Sequence, residues 1–159
     1  MKNILRWIKN FFLPERLYPE PKQDEEMVNR NVQRVFKEAL QALSISAEAQ
    51  VQCTEPGDVP EELINDYHFI YDTFLNRFQE TLSPATVEHI KELDKALDAL
   101  PDSVFQETNL LSMQQPEWES IRAKAQRTLK ALDWAIEAPP SYVHEGEGVY
   151  RRNGDTKVF

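Results

Sequence analysis

Two histidines lie next to acidic residues, and these pairs are the part of the chain that could bind a metal ion. His68 precedes Asp72 by four residues, and His89 precedes Glu92 by three, with Glu88 directly before it. Each pair would share one helix face, and two such pairs could meet inside a helical bundle. However, neither spacing is a Glu-x-x-His or His-Glu-x-x-His motif. We interpret both as solvated helix histidines and keep a helical-bundle metalloprotein as an alternative.

Enzymatic chemistry finds little support elsewhere in the chain. Cys53 is the one cysteine, and it has no basic neighbour in sequence that would activate the thiol. Only 4 glycines occur, so no glycine-rich phosphate loop and no Gly-x-Ser-x-Gly turn can be found. The sequence therefore predicts a protein that is not an enzyme, with no cofactor, no metal and no small-molecule substrate.

The charge balance narrows the class of partner. The chain has 27 acidic and 18 basic residues and a net charge of −9. A nucleic-acid-binding protein normally presents a basic face, so this class is disfavoured, whereas a basic protein partner is favoured. A single cysteine excludes an internal disulfide, and no apolar run is long enough to span a bilayer. We expect a cytoplasmic protein.

Low glycine content, 10 prolines and long periodic segments predict an all-α, single-domain helical bundle within the 159 residues. We expect four main helices, a short N-terminal amphipathic helix and a C-terminal β-hairpin-like tail. The predicted divisions are an amphipathic helix at 1–13, a proline-rich linker at 14–22, the bundle at 23–138 and the tail at 139–159. The predicted main helices are 23–43, 60–82, 84–100 and 116–137. Residues 44–59 form a loop with room for a short helical piece near 47–51, and 102–115 form a helical turn plus loop.

One aromatic residue of the predicted helix 60–82 lies on the side opposite its apolar arc. At ~100° per residue, one face collects the apolar side chains: Leu63, Ile64, Tyr67, Ile70, Tyr71, Phe74, Leu75, Phe78 and Leu82. The opposite face carries Glu62, Asp66, Thr73, Asn76 and Glu80, and Phe69 lies among them. An exposed ring surrounded by acids is typical of a contact site for a basic partner.

This face supports our leading hypothesis, a non-enzymatic protein-binding module. Between Glu55 and Asp72 there are six acids and no lysine or arginine. The concrete version is a small acidic immunity or inhibitor-type protein that neutralises a basic effector. Two other interpretations are that the acids only keep the surface soluble and that the N-terminal linker or the tail covers Phe69. The predicted partner-binding residues are Phe69, Glu62, Asp66, Asp58, Thr73 and Asn76.

The first 13 residues are basic and amphipathic in an otherwise acidic chain. Ile4, Leu5, Ile8, Phe11 and Phe12 share one face, and the polar side carries the bases. Twelve residues are too few for a stable isolated helix, which favours docking on the protein's own bundle. An anionic membrane surface or a partner helix are alternatives. In the membrane version the protein is a peripheral adaptor, and its contact residues are Trp7, Phe11, Phe12, Lys2, Arg6 and Lys9.

The end of the chain changes its periodicity. Asn153-Gly154, a favoured two-residue hairpin turn, lies between two short β-prone runs.

Trp118 belongs to the apolar stripe of the last predicted helix, together with Leu132 and Ile136. Trp134 lies off this stripe and is predicted to pack in the core or to be half-buried, with a cation–π contact to Arg127 or Lys130 as an alternative.

Overall fold

The structure, a computed structural model, describes residues 24–54, 56–146 and 149–152. The protein is all-α in its main body, as predicted. The described part contains six α-helices and one 3₁₀ turn: α1 (Glu25–Ser44), α2 (Ala47–Thr54), α3 (Val59–Phe78), α4 (Pro84–Asp98), the 3₁₀ turn Asp102–Val104, α5 (Asn109–Met113) and α6 (Pro116–Ala131). The predicted amphipathic helix 1–13 and linker 14–22 lie outside the described residues.

Several of these helices begin at residues whose side chains cap the first turn. Asp24, Asp58 and Ser83 each accept a hydrogen bond from a backbone N–H of the following turn, at 3.1 Å in all three cases. The stretch 44–59 is not only loop, because α2 occupies eight of its residues. Helix α3 ends at Phe78, short of residue 82, and α4 ends at Asp98, short of residue 100.

The core forms where α1 crosses α3 and α6. The rings of Phe36 and Phe74 stack with centroids 4.0 Å apart, and Tyr67 packs on Phe36 at 5.7 Å. The Tyr67 hydroxyl donates to the carbonyl of Ile90 at 3.0 Å, which ties α3 to α4. Trp118 is fully buried on α6, as predicted from its stripe. These contacts hold α1 and α3 side by side.

A buried polar cluster attaches α2 to the bundle. The Arg122 guanidinium of α6 is buried and donates to Gln50 Oε1 of α2 at 3.2 Å and to the Met113 carbonyl of α5 at 3.0 Å. Gln50 in turn donates to the carbonyls of Ala42 and Leu43 at the end of α1. Because each of these polar groups has a partner, the cluster can be buried without a large desolvation penalty.

The last helix ends earlier than predicted. Asp133 has φ of 56°, and the N–H of Trp134 donates to the carbonyl of Leu129 at 2.9 Å. Together with the bond from Asp133 N–H to the Lys130 carbonyl, this is a Schellman C-cap, which stops α6 at Ala131. The prediction that the helix reaches residue 137 was therefore wrong, and Ile136, expected to face inward, is 42% exposed.

The turn redirects Trp134 into the aromatic core. Its ring makes edge contacts with Phe36 and with Phe74, at centroid distances of 6.3 Å and 6.0 Å respectively. Trp134 is half-buried, as predicted, and its packing partners are aromatic rings. The following segment is held on α1 by Gln41, whose Nε2 donates to the Ala135 carbonyl and to the Glu137 carboxylate, both at 3.2 Å.

The chain continues into a two-stranded antiparallel sheet. Strand β1 (Tyr142–Gly146) pairs with β2 (Val149–Arg152), with Tyr142 opposite Arg152. The pairing is irregular between His144 and Gly146. The strands are joined through residues 147–148, ahead of the predicted turn at Asn153-Gly154, which lies outside the described residues.

Candidate functional site

Phe69 projects from α3 into solvent, as the helix phase predicts. Its exposure of 81% is the highest among the large apolar side chains of residues 24–54 and 56–141. Glu62 and Asp66 lie seven and three residues before it, on the same side of the helix, and both are exposed. The three side chains therefore form one surface, and a ring of this size in water is the usual mark of a contact site.

This surface is one wall of an open groove between α1 and α3. The groove has a volume of about 360 Å³ and is lined by Val35, Glu38, Ala39, Ala42, Cys53, Thr54, Glu62, Leu63, Asp66, Phe69 and Pro139. Ala39 and Ala42 of α1 face the wall that α3 provides. Because alanine side chains are short, the helices can pack through Phe36 and Phe74 below and still leave a depression above.

The charges that line the groove are all negative. Three acids and no lysine or arginine appear among its lining residues. Glu38 is engaged by Arg34, whose Nη1 lies 3.2 Å from Glu38 Oε1. Within the described part, no lysine or arginine pairs with Glu62 or Asp66. Although Asp66 has exposed area, burial of one side of its carboxyl group raises its pKa. The groove therefore offers unpaired negative charge beside an exposed ring.

The remaining predicted partner-binding residues lie outside the groove lining. Asp58 caps α3 through the N–H of Glu61, which gives it a structural role at the helix start. Thr73 and Asn76 are exposed and continue the Phe69 side of α3 toward its end. Phe69, Glu62 and Asp66 thus line the groove together, whereas Asp58, Thr73 and Asn76 are not among its lining residues.

Most of the groove lining comes from elements other than α3 and was not predicted from the sequence. Ala39 and Ala42 come from α1, Cys53 and Thr54 from the end of α2, and Pro139 from the segment after α6. The spacing of the alanines, with Val35 four residues before Ala39, was a visible sign of a second face on α1. The contribution of α2 and Pro139 had no comparable signal.

His68 lies against different carboxylates from the one predicted by spacing, whereas His89 lies against the predicted one. His68 Nε2 lies 3.4 Å from Asp94 Oδ1 and 3.5 Å from Asp98 Oδ1, both on α4, so its partners are across the helix pair. His89 Nδ1 lies 3.7 Å from Glu92 Oε2, the predicted neighbour. Over residues 24–54 and 56–141, no group of three His, Cys, Asp or Glu side chains is arranged to hold a metal ion.

Asp94 and Tyr71 form a half-buried pair in which the pKa of both groups is raised. Burial, followed by the charge of Asp98, raises the pKa of the Asp94 carboxyl, while His68 and a hydrogen bond from Tyr71 act in the opposite direction. Burial and the neighbouring Asp94 charge raise the pKa of Tyr71 to about 12. Both groups lie between α3 and α4. The arrangement joins these two helices and presents no nucleophile to a cavity.

The predicted membrane-contact residues all belong to the segment 1–13, outside the described residues. In the part that the structure describes, no helix combines the length and the apolar character needed to cross a bilayer.

Comparisons with known proteins place no family on this architecture. No protein-family model matches the chain, and no curated protein and no solved structure shows significant similarity to it. The groove is therefore interpreted from its own geometry and charge.

Proposed function

We propose that the protein is a non-enzymatic, cytoplasmic binding module that recognises a basic protein partner through the groove between α1 and α3. The concrete version is an immunity or inhibitor-type protein that neutralises a basic effector. The observation that supports it best is the 81% exposure of Phe69 beside two carboxylates that lack basic partners in the described part of the chain.

Phe69 would act as the anchor of the interface. Burying an exposed phenylalanine side chain contributes about 1.5–3 kcal/mol, which is the range in which single aromatic residues dominate binding interfaces. The fold does not need this ring, because the apolar arc of α3 lies on its other side. An exposed ring that contributes little to folding is best explained by a second molecule that covers it.

The acids would act mainly on the rate and orientation of association. The net charge of −9 attracts a basic protein from a distance, and Glu62 and Asp66 concentrate that field at the groove. The raised pKa of Asp66 indicates a carboxylate that water solvates incompletely, so a cation brought to it would replace little water.

Capture from the native host under low-salt conditions, followed by mass spectrometry, would supply the partner. Calorimetry of the purified pair then tests the anchor. We expect Phe69→Ala to weaken binding by about 2 kcal/mol, roughly 30-fold, with an unchanged far-ultraviolet circular dichroism spectrum.

Phe105→Ala provides the matched control, because Phe105 is also an exposed ring, at 43%, but lies outside this groove. It should bind as the wild type does. Glu62→Gln with Asp66→Asn should slow association and reduce its dependence on salt. Equal affinity of the Phe69→Ala variant and the wild type, or capture of acidic proteins alone, would refute the proposal.

A further inference from the structure

The groove has features that match a segment of this same chain. Its floor and walls include Val35, Leu63 and Phe69, and the acids Glu62 and Asp66 stand along α3. An occupant must therefore present apolar side chains flanked by positive charge. Its volume of about 360 Å³ accommodates several side chains but not a whole helix, so an occupant would insert one edge.

We propose that residues 2–13 are the intramolecular ligand of this groove and occupy it when no partner is bound. The proposal rests on the function proposed above, because the segment would compete with the protein partner for the same groove. The segment is the complement of the groove in chemistry. Its apolar face ends in Phe11 and Phe12, and its bases Lys2 and Lys9 lie at the border of that face on a helical projection.

The chain can reach the groove. Helix α1 starts at Glu25 and lines the groove between Val35 and Ala42, about 15–26 Å along its axis at 1.5 Å per residue. The linker 14–22 contains three prolines and, when extended, spans about 28 Å at 3.1 Å per residue. A segment that folds back along α1 would thus place residues 2–13 over the groove.

Because residues 2–13 belong to the same chain as the groove, weak contacts are enough to keep them bound. A short linker gives an effective concentration in the millimolar range, so even weak contacts would keep the groove occupied. The isolated twelve-residue helix would be marginal in water, and docking supplies the apolar surface that stabilises it. A basic partner would then have to displace the segment, and its apparent affinity would be lowered accordingly.

The chain contains the probes for a direct test. Cys53, the one cysteine, is exposed and lines the groove, and Trp7 lies in the proposed ligand. Bimane attached to Cys53 is quenched by tryptophan only at contact distance. We expect Trp7→Phe to abolish quenching in the full chain, and the triple variant Lys2→Glu, Arg6→Glu, Lys9→Glu to abolish it with Trp7 still present.

A bimane label at a second position measures the background quenching. With Cys53→Ser, bimane at Ser120→Cys on α6, an exposed position outside the groove, should give the same emission with Trp7 or with Phe at that position. Trp134 is present in every variant, so the loss of quenching in Trp7→Phe reports the contribution of Trp7. Phe69→Ala should also relieve quenching at Cys53, because it removes one wall of the groove.

Three outcomes would overturn the proposal. Emission that is the same with and without Trp7 means that the segment does not occupy the groove. Quenching that disappears on dilution identifies a second copy of the chain as the occupant. Absence of quenching together with Trp7-dependent sedimentation on anionic vesicles assigns the segment to a membrane surface. None of these uses an external protein, so the partner-binding proposal would stand or fall separately, on Phe69→Ala calorimetry.

Discussion

Arg122 of α6 and Gln50 of α2 are joined by a buried hydrogen bond of 3.2 Å, and through it the helix that closes the groove is held on the bundle. Helix α2 carries Cys53 and Thr54, which line the groove. Its own contribution to the apolar core is small, since Ala47 is its one buried apolar residue. The position of these groove residues therefore depends on a polar contact.

Arg122→Ala should lower the free energy of unfolding by about 2–4 kcal/mol, because it leaves Gln50 and the Met113 carbonyl buried without a donor. Urea denaturation measures this change. Arg127→Ala is the control on the same helix: its side chain is 55% exposed and lies 3.8 Å from Glu92, so a change within about 0.5 kcal/mol is expected. Equal effects of the two substitutions would contradict a structural role for the buried guanidinium.

Tyr71 should ionise unusually late. Its pKa is raised to about 12, first by burial and then by the charge of Asp94. Asp94→Asn removes that charge and keeps an oxygen that can accept the tyrosine O–H, so the pKa should move down toward the ordinary value of about 10. Rapid pH-jump spectrophotometry of tyrosinate absorbance would follow it, and Tyr71→Phe assigns the signal. An unshifted pKa in Asp94→Asn would refute the coupling.

The Asp94 carboxyl should also make the fold less stable as the pH rises. Its pKa is raised in the folded protein, so the folded state holds this proton more tightly than the unfolded chain does. The free energy of unfolding should therefore fall as the pH increases from about 3.9, the unfolded value, through the folded pKa. Asp94→Asn should flatten this part of the pH–stability curve.

The comparison of wild type with Asp94→Asn over this pH interval is the test of the prediction. A stability that rises for wild type over the interval assigned to Asp94, and not for Asp94→Asn, would mean that the carboxylate stabilises the fold, contrary to this prediction.

Among the residues that the structure describes, Asp133 is the non-glycine residue whose φ is positive, at 56°. Glycine adopts this conformation without a Cβ clash, so Asp133→Gly should leave stability unchanged or raise it by up to about 1 kcal/mol. Asp133→Val should destabilise by about 1–2 kcal/mol. Thermal unfolding followed by circular dichroism checks both. A strongly destabilised glycine variant would show that the aspartate side chain itself holds the turn.

The local rules of helix formation explain what the sequence could predict. Ser83-Pro84 and Asp24 begin helices because their side chains or ring suit the first turn, and no distant contact is needed to recognise them. The orientation of Phe69 follows from the same helix phase. The end of α6 could not be predicted this way, since apolar residues continue at helical spacing to Ile136 and an aspartate, not a glycine, takes the left-handed position.

Contacts between distant segments account for the rest. His68 was paired with Asp72 by spacing, yet it lies against Asp94 and Asp98, because α4 passes beside α3. Arg122 is buried because α2 and α5 supply acceptors from distant parts of the chain, in addition to Glu119 on its own helix. Likewise, the wall of the groove opposite Phe69 comes from another helix.

The segment from Trp134 to Pro139 connects the aromatic core to the groove. Trp134 packs on Phe36 and Phe74, Gln41 holds the middle, and Pro139 lies in the groove. A molecule that displaces Pro139 would therefore also shift the indole of Trp134, which contacts the central rings. The fluorescence emission of Trp134 should therefore change when a molecule enters the groove beside Pro139.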